Sequence, residues 1–243
     1  MRNIRMTIEY DGTDFAGWQR QNGRIVTVQG EIEKVLRMIL QEQVSLAAAG
    51  RTDRGVHARA QVGNFLTASP MELSRMAHSL NSLLPASIRV VDSLEVPGDF
   101  HARFSAKERE YRYFMLEHPS AICGRFAGCS YGRLDLQRMR EIAFLTLGEH
   151  DFTAFSKPDR DNEGRFCSVN SCCWHRFNRY FVLRITANRF LRSMVRYLVA
   201  AMVSAGRGSM SAGEFRQMLE AGVFYDSLKP AQPNGLFLWE ITY

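Results

Sequence analysis

The chain has 243 residues, 46% hydrophobic and 23% charged, a balance that supports a buried core and excludes global disorder. No weakly charged run approaches the roughly 20 residues of a membrane span, and the first ten residues lack the apolar stretch of a signal peptide. Arginine and lysine outnumber the acids 31 to 25, giving a net charge of +6 that suits a polyanionic partner such as RNA or DNA and equally suits an arginine-rich genome.

In chain order, Met1 to Tyr10 reads as a strand, because Ile4, Met6, Ile8 and Tyr10 alternate with Arg5, Thr7 and Glu9. Asp11-Gly12-Thr13-Asp14 ends it in a turn. Helical spacing of Ile32, Val35, Leu36, Ile39 and Leu40 predicts a helix over 29–41. A strand over 44–49, a loop over 50–57 and a strand over 61–67 follow. Ser69-Pro70-Met71-Glu72 has the pattern of a capping box opening a helix that Pro85 stops, and Ile88 to Val96 returns as a strand.

Beyond Phe104 the pattern begins again. A strand is predicted over 109–117, a helix capped by Asp135 and closed at Gly148, and a polar loop over 157–165. Residues 172–177 and 180–186 form a hairpin around Asn178-Arg179. A helix over 190–205, a shorter one boxed by Ser211 and Glu214, and a last strand over 236–243 complete the chain. The expected fold class is α+β, with two similar α/β subdomains, 1–104 and 105–243. The first part holds 12 bases and 11 acids and the second 19 and 14, so most of the positive excess falls in the second. Of the 31 bases 27 are arginine, whose planar fork suits phosphates and stacks on bases.

Gly50-Arg51-Thr52-Asp53-Arg54-Gly55-Val56-His57-Ala58 is the stretch richest in chemistry. It lies between two predicted strands, and its single carboxylate, Asp53, is flanked by Arg51 and Arg54. Such neighbours favour the ionised carboxylate, ready to act as nucleophile or base; the plainer alternative is a solvated turn with weak ion pairs. His57 is either a general acid or base or a packing residue. Phe15 and Trp18 either stack on bases or pack beneath the loop. Phe100-His101-Ala102-Arg103-Phe104, with Lys107, Arg109, Tyr111, Arg112 and Tyr113 after it, interleaves cations with rings as a nucleic-acid surface does. Arg192 and Arg196 are four apart on the predicted helix, where a buried arginine requires a carboxylate partner. Five cysteines with no C-x-x-C pair argue against a disulfide framework and a standard zinc site, and the Cys172, Cys173, His175 cluster leaves a coordination sphere incomplete. Free thiols in a reducing cytoplasm are the expectation. No phosphate loop, dinucleotide fingerprint, H-E-x-x-H or G-x-S-x-G is present.

Taken together and in this order, certain runs resemble the TruA family of tRNA pseudouridine synthases. They are Tyr10-Asp11-Gly12-Thr13 with Gly17-Trp18-Gln19; Thr27-Val28-Gln29-Gly30-Glu31; Gly50-Arg51-Thr52-Asp53 with Gly55-Val56-His57-Ala58; and Phe100 to Ala106. Arg109 to Tyr113, Glu149 to Phe152, Met194-Val195-Arg196 and Gly235-Leu236 continue the match. The resemblance implies the pseudouridine synthase fold, with a basic cleft between two halves. It implies isomerisation of uridine at positions 38, 39 and 40 of tRNA, by a homodimer that uses no cofactor and no metal. Carried over by position, Asp53 is the catalytic aspartate, Arg51 the arginine of its loop, Tyr111 the ring stacked on the target base and Arg196 the arginine paired with the aspartate. Arg54, His57 and Arg103 are expected to bind substrate. Three positions depart from the family pattern: Arg54 replaces a usual alanine, Ala200 a common glycine, and Asn64 a frequent histidine.

Overall fold

The computed structural model describes residues 1–158, 164–222 and 227–243. It divides into two compact units, one made of Met1–Lys107 with Leu238–Tyr243 and the other of Glu108–Phe237. Between them the described residues form ten strands and five α-helices.

In the first unit, β1 (Arg2–Tyr10) is followed by α1 (Val28–Leu40), the two-residue β2 (Ala47–Ala48), β3 (His57–Thr67), α2 (Leu73–Leu83) and β4 (Ile88–Val96). The strands lie in the order β4-β1-β3, all antiparallel, with β2 against β3. The alternation read in β1 is the one seen: Ile4, Met6 and Ile8 are fully buried, as are Val28, Ile32, Leu36 and Leu80 from the helices. Each such side chain contributes about 1.5–3 kcal/mol relative to an exposed one. Thr27 caps α1, its side chain accepting from the Gly30 amide.

Local signals mislead at two places here. The pattern Ser69-Pro70-Met71-Glu72 does not box a helix: Glu72 is the N-cap of α2 and makes no side-chain cap, while the Ser69 hydroxyl accepts from the Met71 amide at 3.2 Å. β3 starts at His57 rather than near residue 61, so His57 stands on a strand. Pairing to β1, with Tyr10 opposite Ala58, extends it over residues 58–60 and back to His57, the last residue of the expected loop.

In the second unit, β5 (Glu108–Leu116), β6 (Gly128–Cys129), α3 (Leu136–Leu145), β7 (Gly148–Asp151), β8 (Phe166–Phe177), β9 (Tyr180–Ala187), α4 (Met194–Gly206) and α5 (Ala212–Ala221) follow in turn. The order β5-β9-β8-β7 is antiparallel throughout, and β6 joins β5 in parallel. The hairpin turns at Asn178, which adopts φ 53°. Asp135 accepts from the Gln137 and Arg138 amides at the start of α3, and the capping box of Ser211 and Glu214 is formed at α5. α4 begins four residues later than its apolar pattern suggests, because Ser193, at φ 60°, breaks the backbone before Met194. β7, at Gly148, is a strand that the sequence reading did not anticipate. Residues 159–163 of the expected polar loop lie outside the described residues. The core joins Trp174, whose indole N–H donates to Met202 Sδ at 3.0 Å, to Leu183, Ile185 and Leu198, with Phe155 stacked on Phe215.

β10 (Leu236–Thr242) carries the chain back to the first unit, where it lies beside β3. The Lys107 amide donates to Thr242 O at 2.8 Å and the Tyr243 hydroxyl to Ala102 O at 2.9 Å. No described helix is long and apolar enough to cross a membrane.

The cysteines are all free, and two are buried, Cys167 and Cys172. Burial pushes the Cys167 thiol up to about 11 and that of Cys172 up to about 12. A thiol reagent at pH 8 is therefore expected to label Cys173, Cys123 and Cys129 and to reach Cys167 and Cys172 only on unfolding. The unfolded chain releases these two protons first as pH climbs. The stability they confer is intact below pH 9 and is lost from there toward 12. Mass spectrometry of labelled peptides, native against denatured, checks the first expectation, and denaturation curves across that range the second.

Candidate active site

The loop between β2 and β3 is fixed by its backbone. The Ala49 amide donates to Val62 O at 2.9 Å, and Gln61 Nε2 to Gly50 O at 2.7 Å, closing its base. At its crown the Val56 amide donates back to Asp53 O at 3.1 Å, a tight turn for which Gly55 supplies φ 77°. Thr52, between Arg51 and Asp53, points inward: it is buried, and its hydroxyl meets that of Tyr10 at 2.7 Å. Burying Thr52 leaves Arg51 and Arg54 exposed and Asp53 half-buried. The Arg-Thr-Asp-Arg run thus presents three charged groups around one hydroxyl anchor.

Two segments press against this loop from outside. Gly12 packs on Val56, and a Cβ there would collide with the Val56 carbonyl. Gly17, at φ 105°, packs on Thr52, where a Cβ would lie 2.7 Å from the Thr52 oxygen. The next amide, Trp18 N–H, donates to that same oxygen at 3.1 Å. Trp18 and Phe15 are buried beneath, so packing is the role these rings perform. The 17–20 strap is itself tied to α1: Gln29 N–H donates to Trp18 O, Arg20 N–H to Gln29 Oε1 at 2.8 Å, and Arg20 reaches the buried Glu33 at 3.1 Å. Glu33 Oε1 also accepts from the Leu46 amide, just ahead of β2.

His57 sits at the foot of the loop, buried, with Nδ1 accepting from the Gly12 amide at 3.0 Å and lying 3.1 Å from Asp11 Oδ1. A ring nitrogen that accepts from an amide leaves the proton on Nε2, whereas the carboxylate favours a proton on Nδ1. Both contacts fasten the 11–13 turn to the start of β3. Asp11 also accepts from the Thr13 amide and hydroxyl.

Arg103 stands elsewhere on this unit, on a turn over 100–105. Two buried amides hold that turn. Asn64 Oδ1 accepts from the Ala102 amide at 2.8 Å, while Asn64 Nδ2 donates to Asn3 Oδ1 and Phe100 O. Asn3 Nδ2 donates in turn to Pro97 O and Phe100 O. The sequence marks Asn64 only as a departure from a family histidine and does not mark Asn3 at all. A polar residue on the face of β1 opposite Ile4, Met6 and Ile8 is the one available signal.

In the second unit, Tyr111 on β5 is nearly buried and makes an edge-on contact with Phe190, ring centroids 5.1 Å apart. Arg196, in the first turn of α4, is half-buried rather than deeply buried. Its Nε donates to Ala231 O at 2.8 Å, and its carbonyl accepts from the Ala231 amide. Its charge bears on Tyr113, where it opposes the rise that burial imposes on that phenol. Tyr111 and Tyr113, two apart on β5, share a face of the strand. Gly235 has no room for a side chain: a Cβ would lie 2.5 Å from Phe114 O and 2.8 Å from the Tyr113 ring. Among the described residues no three His, Cys, Asp or Glu side chains gather into a metal site. Cys172 and Cys173 point to opposite faces of β8, one buried and one exposed.

The strap contact is separable from backbone strain by paired substitution. Gly17→Ala and Gly23→Ala both place alanine at positive φ, at a cost of about 1–2 kcal/mol. Only Gly17 has an atom of the loop in the way, since nothing lies within 4 Å of a Cβ at Gly23. Gly17→Ala alone is expected to speed amide exchange at Trp18, which hydrogen-exchange NMR reads directly.

A family model described as tRNA pseudouridine synthase matches residues 6–105 and 142–243. The tRNA pseudouridine synthase A of Pelodictyon phaeoclathratiforme is 65% identical over 243 residues, with 100% of both chains covered. The protein of the same name from Chlorobium phaeobacteroides is 61% identical, covering 100% of this chain and 94% of its own. A more distant one from Caldicellulosiruptor saccharolyticus is 36% identical over 246 residues, again with 100% of both chains covered. With the match spanning both units, including the pinned Arg51–Asp53 loop, the chain belongs to the tRNA pseudouridine synthase family.

Proposed function

We propose that the protein isomerises uridine to pseudouridine in tRNA, at positions 38, 39 and 40 of the anticodon arm, acting as a cytoplasmic homodimer without cofactor or metal. The observation that carries this reading is Asp53 itself, a half-buried carboxylate on a loop whose neighbours Thr52 and Val56 are locked, in a chain matched to the family over both units. The reaction needs little more than a positioned carboxylate. The C1′–N1 bond of uridine breaks, the uracil turns, and C1′ rejoins at C5. The proton displaced from C5 is balanced by one gained at N1, so no atom enters or leaves. Asp53 either attacks C1′ as the C1′–N1 bond breaks, its ester bond breaking again when C5 attacks C1′, or takes a sugar proton as the base leaves and returns it on rejoining. A nucleotide in a stem must first leave its stack, and a rigid loop that presents charged side chains outward is suited to receive it.

The remaining roles follow by position in the family's runs, except that of Arg54, which stands where the family usually has alanine and is assigned from its exposure beside Asp53. Arg51 acts beside Asp53, Tyr111 stacks on the target base and Arg196 is the arginine assigned to the aspartate. Arg54 and Arg103 bind phosphates or bases of the substrate, and His57 serves binding through the turn it fastens. The support for Arg51 and Arg54 is their exposure on the loop that carries Asp53. The support for Tyr111 is a ring held edge-on by Phe190 and thus fixed in orientation.

Asp53→Asn keeps the size of the side chain and removes its charge. It is expected to abolish pseudouridine formation while tRNA still binds, because binding is spread over many phosphate contacts and chemistry rests on one carboxylate. Arg54→Ala, at an exposed position, is expected to fold normally and to retain activity, with altered preference among neighbouring uridines. Site-resolved pseudouridine mapping on purified tRNA, alongside a binding titration, checks both. Turnover by Asp53→Asn would remove Asp53 from the catalytic role, and loss of activity in Arg54→Ala equal to that of Asp53→Asn would mean an active site rebuilt around Arg54.

A further inference from the structure

We propose that the turn over 100–105 is a second nucleotide subsite, in which the Phe104 ring, flanked by His101 and Arg103, stacks an unpaired base of the RNA substrate. The inference rests on the tRNA reading above and adds to it a place where the substrate is gripped away from the reacting uridine.

Phe104 is 77% exposed. A single exposed ring is unremarkable on most surfaces. What sets this one apart is the rigidity beneath it. The turn closes on itself through the Ser105 amide to His101 O at 2.9 Å, the His101 amide to the Ser105 hydroxyl and the Arg103 amide to His101 Nδ1. It is then fixed to the sheet by the buried Asn3–Asn64 pair and by the Tyr243 hydroxyl on Ala102 O. Ala102 and both asparagines are buried, next to residues that are not. A buried amide pair has to be fully satisfied to be tolerated, and here, besides the bond between the two and one to Pro97 O, its bonds go to the backbone of this turn at Phe100 and Ala102. The result is an aromatic side chain displayed outward on a pre-organised base, which lowers the ordering cost of binding.

The surroundings select the ligand. His101 lies 4.5 Å from the Phe104 ring centroid at 40°, and the Arg103 guanidinium is 5.6 Å from it. Along the chain Arg103 immediately precedes the ring and Lys107 lies three residues after it, while the nearest acids, Asp99 and Glu108, stand outside the turn. A ring with a guanidinium at its face and an imidazole beside it is less suited to an apolar protein patch than to a base with its phosphate alongside. His57, at the foot of the Asp53 loop, and Asn64, which holds the turn, are seven steps apart on β3, roughly 20 Å. With the turn held at one end of β3 and the Asp53 loop at the other, the base stacked on Phe104 is assigned as one other than the uridine that reacts. Such a contact is made equally before and during the chemical step, so it acts on KM and leaves kcat unchanged.

The test uses the full chain and an unmodified tRNA transcript. Phe104→Ala is expected to weaken tRNA binding and to raise KM roughly tenfold, with kcat, melting temperature and oligomeric state unchanged. Phe104→Trp is expected to restore binding, and its added fluorescence is expected to be quenched by tRNA beyond any change seen in the unsubstituted protein. Affinity of Phe104→Ala within twofold of the parent, or a Phe104→Trp signal insensitive to tRNA, would overturn the proposal. So would a variant that changes oligomeric state while binding tRNA as before, which would assign Phe104 to a contact between copies. Failure of the parent protein to form pseudouridine in tRNA would instead overturn the functional reading on which the subsite rests.

Discussion

Backbone packed on backbone at two glycines is the constraint on which the Asp53 loop depends. Gly12 against Val56 and Gly17 against Thr52 leave no space for even one carbon between segments far apart in sequence. The contact fixes the loop more tightly than side chains do, since a peptide has no rotamers to relax into. The Tyr10–Thr52 hydroxyl pair and the His57 ring then act on a loop already placed. The Gln29–Glu33 network carries that placement back to α1. Strength in this arrangement lies in residues that do no chemistry, which leaves Arg51 and Arg54 at the surface.

Much of this was legible in the sequence, for reasons that differ by element. The face of β1, the cap of α3 at Asp135 and the box of α5 are local signals, and each appears as read. The glycine-bounded loop announced itself by composition. The extent of β3, the false box at Ser69 and the late start of α4 were not legible, because each is decided by a partner or by a single backbone angle at Ser193 rather than by a run of side chains. Arg196 sits in an apolar helix and so reads as buried, yet a helix's first turn lies at its edge and the side chain reaches the surface there. Polar residues with structural duties, Asn3 and Asn64 above all, look in sequence like any exposed pair.

Net charge is a coarse guide to a nucleic-acid surface here. Part of the arginine excess is already matched within the protein: Glu110, itself buried, accepts from both Arg112 and Arg184 at 2.7 and 2.9 Å, and Arg176 reaches Glu117. A buried carboxylate holding two guanidinium groups fixes their planes and halves their combined charge. Such arginines are better at defining direction than at gathering anions from a distance. Arg51 and Arg54, on the loop of Asp53, are exposed.

The return of β10 to the first unit has a consequence for how the protein comes into being. On the ribosome, β1, β3 and β4 emerge early, but the strand that lies beside β3 is synthesised only after the whole of the second unit. Until then one margin of the first sheet offers unpaired amides and carbonyls to any passing strand. Closing it is a pairing of long sequence separation, slow compared with the hairpins on either side. The nascent first unit thus waits, incomplete, through translation of the rest, and the final residues of the chain seal a structure begun with the first.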